Sequence, residues 1–195
     1  MKNMKSKTKD LSLEAARLIA ELEEERWCVV LGNPAKARFV IDAVKEGLEG
    51  GRRPQITPAL KRLLGRVQRL AGARDKKTQF ERAAGRLASS LMAVDADREL
   101  AAAAAGEAIL RGTRHSADGK TVISRYAADV ENATLRVDRA RHEFIRANQG
   151  LVTTIAQSYR QSRMPLADRI QEGNLGLIKA VNRFDYRLGY QFSTY

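Results

Sequence analysis

Apolar residues recur at helical spacing along almost the whole chain, and no stretch alternates apolar and polar residues for long enough to predict a strand. A first helix is predicted to begin near Ser12, a suitable helix N-cap, and to end where "GNP" interrupts the pattern. Pro34, the last residue of that interruption, suits the first position of a second helix. The two helices are expected to form a hairpin within residues 1–50. The pattern therefore predicts an all-α protein.

The longest apolar stripe runs from Tyr126 to Ile155 at steps of three and four residues, which predicts one long helix. Such a helix is too long to bury against one small neighbour, so we expect it to pack against both the amino-terminal hairpin and the helix that follows it. Pro165 should end or bend it, because proline cannot donate a backbone hydrogen bond. The core-facing stripe of the last helix is predicted to comprise Ile170, Leu177, Val181 and Phe184.

The middle of the chain is marked off by loops and by its charge. A loop rich in glycine and proline opens it, and the turn "HSADGKT" at 115–121 precedes the long helix. We therefore expect three segments, with bounds 1–50, 51–118 and 119–195. Residues 51–77 hold nine basic residues and a single acid, Asp75. Such a run is either a solvated face or a surface for nucleic-acid backbone, and the sequence favours neither.

Overall composition indicates an acidic partner. The chain of 195 residues has a formal net charge of +12, and a basic surface gains affinity for nucleic acid by releasing the counterions condensed on phosphates. Its hydrophobic content of 44% is sufficient for a core in one or two small domains. The opening "MKNMKSKTKD" lacks the apolar run of a signal peptide or membrane span, and the single cysteine, Cys28, excludes an internal disulfide. We therefore expect a cytoplasmic protein without a membrane partner.

No residue pattern predicts an enzyme or a metal site. His115 and His142 are isolated, and Cys28 has no histidine or base on its helical turn to activate it. No glycine-rich loop is followed by Lys-Ser or Lys-Thr, the arrangement that cradles phosphates. Five glutamates between residues 14 and 25 could bind a metal ion, but their spacing is typical of a charged helix surface. We expect no catalytic residue, no cofactor and no metal.

A second face of the last helix and the segment after it carry the candidate chemistry. This face comprises Asp168, Gln171, Glu172, Leu175, Lys179 and Asn182. Its mixture of acids, amides and a leucine suits a protein partner better than a phosphate backbone, although an ordinary solvated face has the same spacing. After Phe184, aromatic residues stand beside arginines, which suits stacking on single-stranded bases. The alternative is that these rings close the local core, above all Phe192.

The stretches "ANQGLVTTIAQSY", "DRIQEGNLGLIKAVNRFDY" and "GYQFSTY" occur in this order and resemble the core helical domain of sigma-70 family bacterial transcription initiation factors. The resemblance implies a protein that binds core RNA polymerase and directs promoter recognition in the bacterial cytoplasm, at the nucleoid. In this family, a set of residues docks on the clamp coiled coil of the largest polymerase subunit. These residues match Asp168, Gln171, Glu172, Asn174 and Ile178. Its segment for the unpaired non-template promoter strand matches Tyr190, Phe192, Thr194 and Tyr195, and the basic residues nearby are Lys179, Arg183 and Arg187.

A second resemblance covers residues 11–48, where "LIAELEEERWCVVLGNPAKARFVIDAV" looks like the hairpin that precedes a variable insertion in primary-type sigma factors. It rests on helix lengths, the position of a proline and scattered apolar residues. The resemblance implies that residues 51–118 are that insertion and that residues 119–195 are part of the core domain. No family motif accounts for the basic character of the insertion.

The sequence departs from the family pattern at three positions. Gln191 stands where lysine is common, Leu188 stands where arginine is frequent, and Gly150 removes a basic side chain, so a weaker grip on DNA backbone is expected. The family continues past the position of Tyr195 into a tryptophan pair and a promoter-reading helix, so we expect this chain to dock on polymerase without opening DNA. A fragment, a truncated gene product and a docking protein all fit this ending. A stand-alone basic nucleic-acid-binding protein is the alternative function.

Overall fold

The computed structural model describes the backbone of residues 2–50, 56–95, 97–115, 121–159 and 163–195. The prediction of an all-α protein is confirmed, with one short β-hairpin in addition. The helices are α1 (Lys2–Leu31), α2 (Pro34–Gly50), α3 (Pro58–Ala71), α4 (Lys77–Val94), α5 (Glu99–Gly112), α6 (Arg125–Ser158) and α7 (Leu166–Arg183). The strands are β1 (Thr113–His115) and β2 (Thr121–Ile123), and single 3₁₀ turns lie at Arg74–Lys76, Tyr186–Leu188 and Phe192–Thr194.

The first helix begins well before the predicted N-cap. Helix α1 starts at Lys2, and Ser12 lies inside it, because residues 2–11 contain neither glycine nor proline to stop a helix. The predicted break at "GNP" is confirmed, since α1 ends at Leu31 and α2 starts at Pro34. The carbonyl oxygen of Asn33 accepts a hydrogen bond from the backbone N–H of Ala37 at 2.8 Å, which begins the hydrogen-bond ladder of α2.

The chain forms two compact units. Unit 1 comprises Met1–Glu21 and Val137–Tyr195, and unit 2 comprises Leu22–Arg136. The long helices α1 and α6 each contribute one part to unit 1 and one part to unit 2. The units therefore divide the chain differently from the three predicted segments, whose bounds stay a prediction about the sequence.

Unit 2 has a dense apolar core built around α2. This helix packs mainly against α5 and α3, and α3 packs against α4. A Cβ on Gly47 would lie only 2.6 Å from Cδ2 of Leu100, so this glycine lets α2 approach α5 closely. The alanine run at 101–105 contributes to the same contact, because Ala101, Ala104 and Ala105 are buried. The run therefore serves packing as well as helix propensity.

Unit 2 also buries polar groups, which the sequence did not predict. Glu23 is 0% exposed and Arg26 is 2% exposed, and their side chains form an ion pair of 2.5 Å between Oε2 and Nη2. Glu23 is therefore not part of a charged helix surface. The carboxylate of buried Asp95 accepts hydrogen bonds from the backbone N–H groups of Leu100 and Ala101, at 3.0 and 2.9 Å. It thereby satisfies donors that the first turn of α5 leaves free.

Tyr126, at the start of α6, is tied to α1 by a hydrogen bond. Its hydroxyl donates to the carbonyl oxygen of Val30 at 2.6 Å. Burial raises the pKa of this phenol to about 12, because the ionised form would lose its hydration. Helix α6 also contributes Val130 to the core of unit 2 and Phe144 to the core of unit 1, so the prediction of one long helix that packs at both ends is confirmed.

The β-hairpin follows α5. Strands β1 and β2 are antiparallel, with Thr113 opposite Ile123 and His115 opposite Thr121. Three residues are too few to reveal an alternating pattern in the sequence, although β-branched residues favour strand geometry there. Of the turn predicted at 115–121, the two end residues lie in these strands, and residues 116–120 lie outside the described residues.

The buried face of α6 in unit 1 follows the predicted stripe at Val137 and Phe144 and then shifts by one residue. Phe144, Val152 and Ala156 are buried, whereas Ile155, which ends the predicted stripe, is 57% exposed. The buried residues are separated by multiples of four, and such a row is inclined to the helix axis. The contact with the rest of unit 1 therefore drifts away from a stripe drawn at alternating steps of three and four.

Candidate partner-binding surface of α7 and the carboxy-terminal segment

Helix α7 presents its predicted polar face to solvent. Asp168, Gln171, Glu172 and Lys179 are exposed, and Asn174 is half-buried. Two aliphatic side chains lie among them, because Leu175 is 55% exposed and Ile178 is 43% exposed. The face thus combines acids, amides and exposed apolar groups, a mixture that protein interfaces share. Asn182, which the spacing placed on the same side, is half-buried.

The opposite face of α7 holds the helix on the core of unit 1. Leu177 and Val181 are buried, and Ile170 and Phe184 pack against the same cluster, so the predicted core stripe is confirmed. Gly173 lies at the contact with α6, where a Cβ would come within 2.6 Å of Cγ1 of Val152. The glycine in "QEGN" therefore has a packing reason, since any side chain there would push α7 away from α6.

Arg169 ties the start of α7 to the end of α6. Its Nη1 donates to the carbonyl oxygen of Ala156 at 2.7 Å and also to that of Tyr159. Carbonyl groups at the end of a helix lack intrahelical partners, and arginine side chains commonly satisfy them. Sequence reasoning missed this residue, because neither helical periodicity nor spacing connects Arg169 with a helix that ends before Pro165.

An apolar cavity of about 550 Å³ opens beside this connection. Its wall is formed by the end of α6, by the core side of α7 and by the last 3₁₀ turn, with Ile155, Tyr159, Leu177, Phe192 and Tyr195 among its lining residues. Glu172 of the polar face lies at the same cavity. Exposed Tyr159 and Met164 add to the apolar surface around it.

The segment after α7 forms two 3₁₀ turns and returns to the apolar core of unit 1. Gly189 separates them at φ +74°, a left-handed conformation that glycine adopts without a steric penalty. The ring of Phe192 is buried and packs edge-to-face against Phe144 and Phe184, with centroid distances of 4.9 and 5.1 Å. In this arrangement the ring belongs to the core, and a stacking contact of Phe192 with DNA stays a prediction.

Other predicted DNA-contacting residues of this segment remain at the surface. Tyr190 is 63% exposed, and Tyr195 is 59% exposed although its ring also packs edge-to-face on Phe184 at 5.7 Å. Thr194, Lys179 and Arg183 are exposed as well. Two rings of the segment after α7 and two basic residues of α7 are therefore exposed.

Arg187 is exposed, but its guanidinium group already forms an ion pair with Asp185. Its Nε and Nη2 donate to the two carboxylate oxygens of Asp185 at 2.8 and 2.9 Å. The hydrogen bond and the negative charge of Asp185 raise the pKa of the Arg187 guanidinium further. A DNA phosphate would have to compete with this bidentate pair, so Arg187 is a weaker candidate than Lys179 for a phosphate contact.

The part of the chain that the structure describes offers no metal centre, since no three His, Cys, Asp or Glu residues are grouped to hold an ion. Within the same residues, no helix has the length and apolarity required to cross a membrane. Cys28 is exposed, and the pKa of its thiol is raised by partial burial and by the carboxylates of Glu24 and Glu25. Its thiolate, the nucleophilic form, is therefore disfavoured.

Residues 144–195 match the family described as sigma-70 region 2. The RNA polymerase principal sigma factor HrdD of Streptomyces coelicolor is 55% identical over 58 residues, which is 30% of this chain and 18% of that protein. The HrdD protein of Streptomyces viridifaciens matches equally. HrdD of Streptomyces griseus is 48% identical over 67 residues, 34% of this chain and 20% of that protein. The matches with these relatives thus span about a fifth of the relatives' length. The family match, residues 144–195, includes both α7 and the carboxy-terminal segment.

Proposed function

Residues 144–195 belong to the sigma-70 family, and from this premise we propose that the chain binds core RNA polymerase and takes part in promoter recognition. The observation that carries the proposal is the exposed face of α7. The family match falls on this helix, and its acids and amides are directed to solvent while its apolar stripe is buried. Such a protein works in the bacterial cytoplasm, at the nucleoid, and the chemistry of RNA synthesis remains with the polymerase.

The docking surface that we propose comprises Asp168, Gln171, Glu172, Asn174 and Ile178. Ile178 and neighbouring Leu175 supply apolar area that a partner would remove from water, and the carboxylates and amides around them supply directional contacts. The net negative character of the amino-terminal part of this face requires a basic partner surface. The clamp coiled coil of the largest polymerase subunit is the partner that the family resemblance implies.

A second part of the proposal concerns the unpaired non-template promoter strand. Tyr190 and Tyr195 are exposed rings suited to stacking on bases, and each such contact contributes about 1 to 3 kcal/mol. Thr194 lies beside Tyr195, and Lys179 and Arg183 supply positive charge for phosphates. In this proposal Phe192 does not contact DNA directly, because its ring is buried against Phe144 and Phe184 and holds the segment on the core.

Replacing Glu172 with lysine tests the docking surface. Glu172→Lys places a positive charge opposite a basic partner, so affinity for purified core polymerase should fall by about tenfold or more. Helical content and melting should stay close to those of the unchanged chain, because Glu172 is exposed. Binding is measured by biolayer interferometry with immobilised polymerase, and folding by circular dichroism.

Glu143→Lys is the matched control, because Glu143 is an exposed acid of α6 in the same unit and the reversal changes net charge equally. This variant should bind polymerase as the unchanged chain does. Equal losses in both variants would show that binding depends on overall charge. Unchanged binding of Glu172→Lys would remove the α7 face from the interface.

A further inference from the structure

Helices α3 and α4 bring together three arginines that the sequence keeps apart. A pocket of about 170 Å³ between these helices is lined by Leu63, Arg66, Gln79, Arg82, Ala83 and Arg86. We call it the α3–α4 groove. Only Arg66 lies within the basic run at 51–77, whereas Arg82 and Arg86 come from α4, one helical turn apart. The fold thus places one residue of the basic run beside two arginines of α4 at one concave surface.

Within the described part of the chain, no carboxylate pairs with the charges of this groove. Among the described residues, none of its three arginines forms an ion pair within 4.0 Å, whereas three other bases of unit 2 pair along their own helices. Lys77 pairs with Glu81, and Arg111 pairs with Glu107. Three exposed guanidinium groups that line one small pocket raise the positive potential there, and this potential attracts an anion. The groove therefore has the electrostatic character of an anion site.

The supporting scaffold is well packed. Leu60, Leu64 and Val67 of α3 and Phe80 and Leu87 of α4 are buried in the core of unit 2. Thr57 accepts a hydrogen bond from the backbone N–H of Leu60 at 3.2 Å, and Pro58 occupies the first helical turn, so the start of α3 is fixed. The arginines therefore extend from two helices whose spacing the core determines.

We propose that the α3–α4 groove binds a phosphate group of the backbone of duplex DNA. Guanidinium groups match the geometry of phosphate oxygens and can donate two parallel hydrogen bonds to them. The groove is small and has no aromatic lining residue, so it offers no platform on which an unpaired base could stack. The contact is consequently indifferent to base sequence and adds to the hold on DNA without reading it.

This inference concerns unit 2 and residues outside 144–195, so it does not rest on the proposed docking of α7 on polymerase. Its test uses the 195-residue chain and DNA without polymerase. The groove variant replaces Arg66, Arg82 and Arg86 with glutamine. The control variant replaces three exposed arginines of α6, Arg125, Arg139 and Arg146, with glutamine, so that both variants lose the same charge.

Affinity for two short labelled duplexes of unrelated sequence is measured by fluorescence anisotropy over a series of salt concentrations. Each lost phosphate contact reduces the slope of log affinity against log salt by about 0.9. We expect the groove variant to lose about two to three units of slope on both duplexes, and the control variant to lose less than one unit. Circular dichroism should show the same helical content in all three proteins.

Free inorganic phosphate carries the same oxygens as the DNA backbone and could also bind the groove. Calorimetric titration with inorganic phosphate distinguishes the two ligands. Phosphate binding that the groove variant loses, with an unchanged salt slope on DNA, would assign the groove to a small anion and overturn the proposal. Equal loss of slope in the groove and control variants would overturn it too, because general charge would then explain DNA binding. A groove variant that loses helical content is replaced by Arg82→Gln alone, for which a loss of about one unit of slope is expected.

Discussion

Most of the exposed large apolar side chains lie in unit 1, whereas among the described residues of unit 2 those exposed are Phe39, Leu110, Ile123 and Leu135. Trp27, Phe80 and Leu91 of unit 2 are at most 1% exposed. The buried residues of the core of unit 1 retain 4 to 8% of their exposure, and apolar residues of this unit such as Leu175, Ile178, Tyr159 and Tyr190 are 43 to 64% exposed. An open apolar cavity lies in the same unit.

The two units therefore differ in what their apolar residues do: those of unit 2 mainly stabilise the fold, and the exposed ones of unit 1 are available to bind a partner. Exposed apolar area costs free energy in an isolated chain, and a contiguous apolar surface is typical of an interaction site. The family match, residues 144–195, falls in the unit that carries this surface. Unit 2 lacks that match, and its candidate chemistry is charge on a well-packed scaffold. A partner is therefore expected to remove apolar area from water at unit 1 and to neutralise charge at unit 2.

The largest expected effect comes from the buried ion pair of unit 2. Glu23→Ala leaves the guanidinium of Arg26 buried without its carboxylate, and breaking such a pair from one side costs about 3 to 5 kcal/mol. The free energy of unfolding should fall by that amount. Urea denaturation followed by fluorescence measures it, because Trp27 is the only tryptophan and is buried in unit 2.

Glu25→Ala is the matched control on the same helix. Glu25 pairs with Arg136 at 2.5 Å, but both side chains are about half exposed, and exposed pairs contribute about 0.2 to 1 kcal/mol. Its loss should therefore be several times smaller and should shrink further in high salt. Equal effects of the two substitutions would show that burial does not distinguish these pairs and would weaken the contrast between the units.

The sequence predicted the elements that have explicit start and stop signals. Pro34 begins α2 as predicted, and the apolar repeat predicted α6 over nearly its full length. The start of α1 was misplaced because Ser12 is a possible cap but not a required one, and nothing before it stops the helix. A capping residue or a proline therefore predicts the end of a helix only where the helix cannot continue past it.

Burial of single polar or aromatic residues was less predictable. Glu23 stands in a run of glutamates that looks solvated, and only the tertiary fold shows that it faces the core. Phe192 and Tyr190 lie two residues apart in an irregular segment, where no periodicity assigns one to the core and the other to the surface. The cluster of Arg66 with Arg82 and Arg86 likewise depends on the pairing of α3 with α4.

The second largest effect is expected from a comparison of two rings within unit 1, Phe192 and Tyr190. Phe192→Ala removes a buried ring with two edge-to-face partners, so we expect a loss of about 3 kcal/mol in the stability of unit 1. Tyr190→Ala should change stability by less than about 0.5 kcal/mol, because the ring is exposed. Hydrogen exchange of the α7 amides reports this difference. Similar destabilisation by both would mean that Tyr190 also supports the core, and its proposed role in stacking on DNA would be lost.

The smallest effect concerns Tyr126 and depends on pH. Tyr126→Phe removes the hydroxyl that donates to Val30 and should cost about 1 kcal/mol at neutral pH. In the unchanged chain this contribution is fully present below pH 10, the ordinary pKa of the phenol, since the folded pKa is raised to about 12. Between these values the unfolded chain loses the proton first, so it binds fewer protons than the folded chain, and stability falls as pH rises.

A phenylalanine side chain cannot titrate, so stability of the Tyr126→Phe variant should decline less steeply than that of the unchanged chain between pH 10 and about 12. All other ionisable groups are the same in both proteins, so their effects cancel in the difference between the two curves. Urea denaturation followed by circular dichroism at intervals across this range gives that difference. Parallel curves would show that the folded chain does not hold the Tyr126 proton more tightly than the unfolded chain. The tie between α6 and α1 would then be an ordinary exposed hydrogen bond, and unit 2 would be less completely closed to water than its core implies.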